Sequence, residues 1–151
     1  MEEFENILNE IIVFFDEIID VENEKFNATL NNKVIIVEDC IKKEQALLLR
    51  LKGLDKKREI MQNKLGYNNM TFREIINNIP DNYKEKFQEL FNTIQYRLKS
   101  YKEISKTAQS ALEDSLYNIN LKLSNFNNKQ NTYNKDRNIV SNKNSFTSRR
   151  I

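Results

Sequence analysis

Apolar positions in the first part of the chain recur at intervals of three and four residues. From Phe4 they keep this spacing as far as Val21, which places them on one face of a single helix. The pattern predicts a first helix from about Glu2 to about Ala28. Residues 29–33, with two adjacent asparagines, interrupt the pattern and are the predicted turn.

A second periodic segment keeps a heptad spacing of apolar residues from Val37 to Leu65. Gly66 is expected to end it, since glycine favours the residue that follows a helix. The β-branched run from Val34 to Val37 has the composition of a strand. Because no second run exists to pair with it, we predict that this segment begins the second helix.

The connector that follows contains the clearest local signal in the chain. Thr71 opens a Thr-Phe-Arg-Glu capping box, apolar residues then share one face, and Pro80 closes the segment. A short helix is therefore predicted here, folded across the end of the helical hairpin. Asp81 or Asn82 is expected to cap the next helix.

The last long helix is predicted from Asn82 to about Asn127, since no helix breaker interrupts its apolar register. Asn, Lys and Ser dominate after that, so residues 128–151 are predicted to be a flexible basic tail, separate from a helical domain of residues 1–127. The predicted fold is all-α. It is an elongated antiparallel helical bundle or coiled coil of three long helices with a short connecting helix.

The predicted helix lengths indicate that part of the last helix lacks an intramolecular partner. At about 1.5 Å per residue the second helix spans roughly 43 Å and the last roughly 69 Å. Coverage is expected to end near Ala111, yet the apolar stripe continues. Such a stripe suits a binding surface for another helix, a homodimer seam, or core covered by a longer first helix.

The composition argues against catalysis. The chain has no histidine and one cysteine, Cys40, and it contains no nucleotide-binding or metal-binding motif. We therefore predict no catalytic residue, no metal site and no cofactor. A lone cysteine suits the reducing cytosol. The acidic start and the short apolar run at residues 11–15 do not form a signal peptide or a membrane span.

Charge is distributed unevenly along the chain. The net charge is +2, but residues 129–151 hold six Lys and Arg against Asp136, so the rest is mildly acidic. Such a tail raises the alternative of nucleic-acid binding. The cations are diluted with asparagine, so this electrostatic footprint is weak and we expect no nucleic acid as a partner.

Two segments resemble a known family. The sequence KEQALLLRLKGLDKKREIMQNKLG at residues 43–66 is followed by TFREIINNIP at residues 71–80. Their order resembles the FlgN-type flagellar export chaperones, over roughly residues 4–126. The resemblance implies a cytoplasmic helical protein that binds the C-terminal regions of hook-associated (hook-filament junction) proteins. Such a chaperone prevents their aggregation and delivers them to the flagellar type III export apparatus.

The resemblance also implies a position for the client site, in the C-terminal helical part of the chain. This coincides with the stripe left uncovered by the length argument. The expected client-binding residues are Ala108, Leu112, Leu116, Ile119, Leu123 and Phe126. Contact with membranes is expected only through the membrane-bound export machinery. The main alternative is a structural coiled-coil protein that forms a homodimer through the same stripe.

Overall fold

The computed structural model of the chain describes the backbone of residues 1–147 and the side chains of residues 1–133. It contains four helices: α1 (Glu2–Leu30), α2 (Val34–Lys64), α3 (Phe72–Asn78) and α4 (Asp81–Thr147). No strand occurs among the described residues. The predicted all-α fold of three long helices and one short helix is confirmed, and the β-branched run at Val34 does begin a helix.

The chain divides into two units, and the boundary between them falls within the sequence of α4. The first unit is Met1–Leu112 and the second begins at Glu113. The helix end predicted near Asn127 is wrong, because α4 continues to Thr147. Asn, Ser and Lys each cost at most about 0.7 kcal/mol relative to alanine, and no proline or glycine follows Pro80 to interrupt the backbone hydrogen bonds.

The separate tail at residues 128–151 stays a prediction. The backbone of residues 128–147 is helical, and of residues 134–147 only the backbone is described. Residues 148–151, which complete the predicted tail, lie outside the described residues.

Ion pairs between helices show how the first unit is assembled. Arg50 Nη1 lies 2.6 Å from Glu17 Oε2, and Lys57 Nζ lies 3.7 Å from Glu10 Oε2, so α2 runs antiparallel to α1. Lys86 Nζ lies 2.7 Å from Glu5 Oε1 at the beginning of both α1 and α4. These partly exposed pairs each contribute at most about 1 kcal/mol, so their main effect is on register.

A second ion pair joins α4 to α1, with Arg97 Nε 2.8 Å from Asp16 Oδ1. From the first pair, Lys86 with Glu5, to this one, the residue numbers rise in both helices. Helix α4 therefore runs parallel to α1 and antiparallel to α2. This is the antiparallel relation that the sequence predicted for the second and last long helices.

An aromatic core holds the first unit together near the beginning of α1. Phe4 is fully buried, with its ring centroid 5.5 Å from that of Phe87. Phe72 stacks on Phe91 at 4.1 Å, with 8° between the ring planes, and so attaches α3 to α4. Burial of each such ring contributes about 1.5–3 kcal/mol. Ile75 and Ile79, both buried, complete the attachment of α3.

The connector before α3 adopts the capping box that the sequence predicted. Gly66 has a positive φ of 83°, which ends α2 with little steric cost. The Glu74 backbone N–H donates to Thr71 Oγ1, and the Thr71 backbone N–H donates to Glu74 Oε2 at 2.7 Å. Hydrogen bonds from the Thr71 backbone and hydroxyl lower the pKa of Glu74. Two backbone donors are thereby satisfied at the start of α3.

Replacing Thr71 with alanine should lower the free energy of unfolding by about 1 kcal/mol, because it removes the cap. Chemical denaturation monitored by circular dichroism measures this change. Thr107→Ala is the matched control, since the Thr107 hydroxyl only donates to the Glu103 carbonyl within α4. An equal loss in both variants would show that the cap is not responsible.

A buried ion cluster interrupts the apolar core farther along α1. Lys25 Nζ donates to Glu22 Oε1 at 3.0 Å and to Glu44 Oε2 of α2 at 2.7 Å. Glu22 is fully buried, and its Oε2 has no hydrogen-bond partner. Thr29, also buried, donates to the Lys25 carbonyl at 2.8 Å. Because every buried charge must be compensated, this cluster constrains how α1 and α2 meet.

The pKa values of this cluster follow from burial and pairing. Burial raises the pKa of Glu22, and the hydrogen bond from Lys25 offsets only part of that rise. Burial disfavours the charged form of Lys25, but its hydrogen bonds to Glu44 and Glu22 outweigh this, and its pKa is raised. Burial also raises the pKa of Tyr101 on α4, which is near both carboxylates.

Candidate functional site

The part of α4 that follows the first unit is almost entirely exposed. From Glu113 to Tyr133 only Ser115 is partly covered, and all the other side chains are exposed. The local sequence forms a helix because it lacks proline and glycine, not because its apolar residues are buried. Exposed apolar residues therefore stand out in this stretch as candidates for binding.

Four large apolar residues of this stretch share one helical face. The exposed fractions are 52% for Leu116, 46% for Ile119, 56% for Leu123 and 58% for Phe126. At 3.6 residues per turn they fall within an arc of about 80°. We call these four residues the α4 apolar stripe. Their spacing of three and four residues is that of a coiled-coil seam, with Leu116 and Leu123 at a positions and Ile119 and Phe126 at d positions.

The other two residues expected at the site lie in the first unit. Ala108 is fully buried there, and Leu112 is half-buried. Ala108 is thus a buried residue of the first unit, as are the small residues Ala28 and Cys40. We leave both residues out of the α4 apolar stripe, since neither presents an open apolar surface of comparable size.

Further exposed apolar residues occur in the same stretch but on other faces. Tyr117 and Leu121, exposed by 64% and 44%, lie at b and f positions of the same heptads. Tyr133, exposed by 59%, continues the d positions one heptad beyond Phe126. Tyr133 therefore extends the α4 apolar stripe by one aromatic residue, whereas Tyr117 and Leu121 lie outside it.

Different polar residues border the two edges of the stripe. Lys122 and Lys129 lie at g positions along one edge, and Asn120 and Asn127 lie at e positions along the other. All four side chains are exposed. No carboxylate among the described side chains forms an ion pair with either lysine. One edge is thus cationic, and the other carries neutral amides.

One cavity of the first unit lies between α3 and α4. This groove has a volume of about 200 Å³ and is lined by the stacked rings of Phe72 and Phe91 and by amide side chains of both helices. Arg73 is the charged residue of its lining. Such a groove offers no nucleophile paired with a base.

Metal-binding and thiol chemistry are not supported by the described part of the chain. No group of three or more His, Cys, Asp or Glu side chains that could hold a metal ion occurs among the described residues. Cys40 is buried, and burial raises the pKa of its thiol, which lowers its reactivity. Among the described helices, none is long and apolar enough to cross a membrane.

Comparison with known proteins identifies the family. No curated protein and no solved structure shows significant similarity to the chain. The family model described as FlgN protein matches residues 1–140. That match includes the whole first unit, the α4 apolar stripe and the first half of the predicted tail. The chain belongs to the FlgN family of flagellar export chaperones, which bind flagellar export substrates.

Proposed function

We propose that this chain is a cytoplasmic chaperone that binds the C-terminal helical segments of hook-associated proteins on the α4 apolar stripe. It prevents their aggregation and delivers them to the flagellar export apparatus. The observation that carries this proposal is the α4 apolar stripe, four large apolar side chains exposed on one face of a helix. The free thiol of Cys40 suits the reducing cytoplasm.

The stripe suits an amphipathic helix better than an extended strand or a small ligand. A helix has all of its backbone hydrogen bonds satisfied, so it offers side chains but no backbone groups for strand pairing. Residues at a and d positions interdigitate with the a and d residues of a second helix. Full burial of a Leu, Ile or Phe side chain contributes about 1.5–3 kcal/mol before the costs of association.

The first unit acts as the scaffold in this mechanism. Its aromatic core and interhelical ion pairs hold the first part of α4 against α1. Helix α4 is continuous from Asp81 to Thr147, so the exposed stretch starts from an already formed helix. This removes the cost of helix nucleation from the binding step.

Direct binding tests the proposal. We expect the full chain to form a stable complex with purified C-terminal segments of hook-associated proteins, measured by isothermal titration calorimetry. We also expect it to suppress the light scattering that these segments develop as they aggregate. A client segment with its apolar heptad positions replaced by glutamine is the control. If the chain neither binds the unmodified segment nor delays its aggregation, the proposal fails.

Self-association is a second candidate function because the same stripe also suits a second copy of the chain. Multi-angle light scattering distinguishes the two. A dimer that persists when the client segment is added favours the self-associating coiled coil. A monomer, or a dimer that the client dissociates, favours the chaperone.

A further inference from the structure

The two edges of the α4 apolar stripe carry information about the partner beyond its apolar face. In paired helices, residues at e and g positions contact the partner and select it through charge. Here the g positions are Lys122 and Lys129, one heptad apart, whereas the e positions are asparagines. The lysines therefore present two positive charges, about 10 Å apart along the helix, on one side only.

Both lysines are available for pairing with another molecule. Their side chains are exposed, and neither forms an ion pair with a carboxylate of the described side chains. In the first unit, by contrast, lysines that face a neighbouring helix pair with it, as Lys57 does with Glu10 and Lys86 with Glu5. A cationic edge that has no acidic partner among the described side chains, beside an exposed apolar seam, indicates a complementary edge on the ligand.

We propose that the segment bound on the α4 apolar stripe is a heptad-patterned amphipathic helix with carboxylates along the edge that faces Lys122 and Lys129. This inference rests on the proposed function and specifies the chemistry of the client. Apolar residues supply the affinity, and the charged edge selects the client and its register. A client with cations at the same positions is rejected, because like charges would be placed side by side.

The asparagine edge does not discriminate between partners by charge. Asn120 and Asn127 can donate and accept hydrogen bonds, so they accommodate acidic, basic or neutral partner residues. Discrimination by charge therefore comes from the lysine edge alone. Because only one edge is charged, the client helix is favoured in the placement that puts its carboxylates beside the lysines, and not beside the asparagines.

Two synthetic peptides of three heptads test the inference. Both have leucine at every a and d position; the acidic probe has glutamate at e and g, and the basic probe has lysine there. Isothermal titration calorimetry with the full chain should show that the acidic probe binds at least about tenfold more tightly at low ionic strength. High salt should shrink that ratio, because the charges are exposed and screened.

A charge exchange shows whether these two lysines are responsible. Lys122→Glu/Lys129→Glu should reverse the order of the two probes. The control is Lys99→Glu/Lys106→Glu, which has the same spacing and the same change of net charge but lies in the first unit. This control should leave the order unchanged, and an equal reversal in both variants would overturn the inference in favour of general electrostatics.

The remaining outcomes separate this inference from the proposed function. If both probes bind with equal affinity, the charged edge does not select the client, while apolar capture stands. If neither probe binds but hook-associated segments do, the inferred client chemistry is wrong. If neither the probes nor those segments bind, the proposed function itself is wrong.

Discussion

The double variant Leu116→Gln/Ile119→Gln should bind the C-terminal segment of a hook-associated protein roughly 100-fold more weakly than the unmodified chain. About half of each side chain is exposed, and the client would bury that half. The lost apolar burial and the poorly satisfied amides together cost on the order of 3 kcal/mol, which corresponds to this factor. Isothermal titration calorimetry measures the change.

Glutamine is chosen because it is neutral and a good helix former. The variant therefore removes apolar surface without altering the charge beside Lys122, and far-UV circular dichroism should show unchanged helicity. The matched control is Leu49→Gln/Ile35→Gln on α2, where the two residues are 70% and 82% exposed. The control should bind the client normally. Unchanged binding by the stripe variant would refute the assignment of the site.

Replacing Lys25 with methionine should destabilise the first unit by about 3 kcal/mol near neutral pH. The substitution keeps the aliphatic volume but leaves Glu22 buried without its cation, which is the costly way to break a buried ion pair. Glu44 is partly exposed and can turn to water, so the loss is concentrated on Glu22. Chemical denaturation measures the free energy of unfolding.

Two further variants isolate the buried charge as the cause. Glu22→Gln/Lys25→Met removes both charges and should recover much of the stability that Lys25→Met loses. Lys43→Met removes an exposed lysine that pairs with Asp39 and Glu24, and its effect should be far smaller. If Lys43→Met and Lys25→Met destabilise equally, burial of the charge is not the reason.

The pH dependence of stability has a defined sign at this cluster. Burial raises the pKa of Glu22 above its unfolded value. Between those two values the folded chain binds more protons than the unfolded chain, so the free energy of unfolding falls as pH rises through this interval. Glu22→Gln should flatten that slope. In Lys25→Met the slope should steepen, because the carboxylate has lost its compensating cation.

Local sequence signals predicted the elements that depend on local interactions. The capping box at Thr71 and Glu74 forms as predicted, since its donors and acceptors lie within four residues of each other. The turn predicted at residues 29–33 is found at residues 31–33, because α1 continues to Leu30 before α2 begins at Val34. The apolar spacing from Phe4 onward correctly indicated the buried face of α1.

Glu22 and Lys25 were missed, although the signal that could have identified them was present. They continue the spacing of three and four residues beyond Ile18, so they lie on the buried face of α1. Charged residues are normally exposed, so the apolar face of α1 seemed to end at Val21. The burial of Lys25 is explained by its ion pair with Glu44 of α2, a contact that only the tertiary structure shows.

The sequence by itself determined the helical class, the order of the helices and the face that each presents, because these follow from periodicity and from the scarcity of glycine and proline. It also identified the stripe at Leu116, Ile119, Leu123 and Phe126. Tertiary structure decided which residues are exposed: Ala108 is buried and Leu116 is open, although both lie on apolar stretches of α4. Exposure depends on neighbouring helices distant in sequence. The helix lengths placed the end of their coverage near Ala111, but the periodic pattern alone contains no information about which residues they cover.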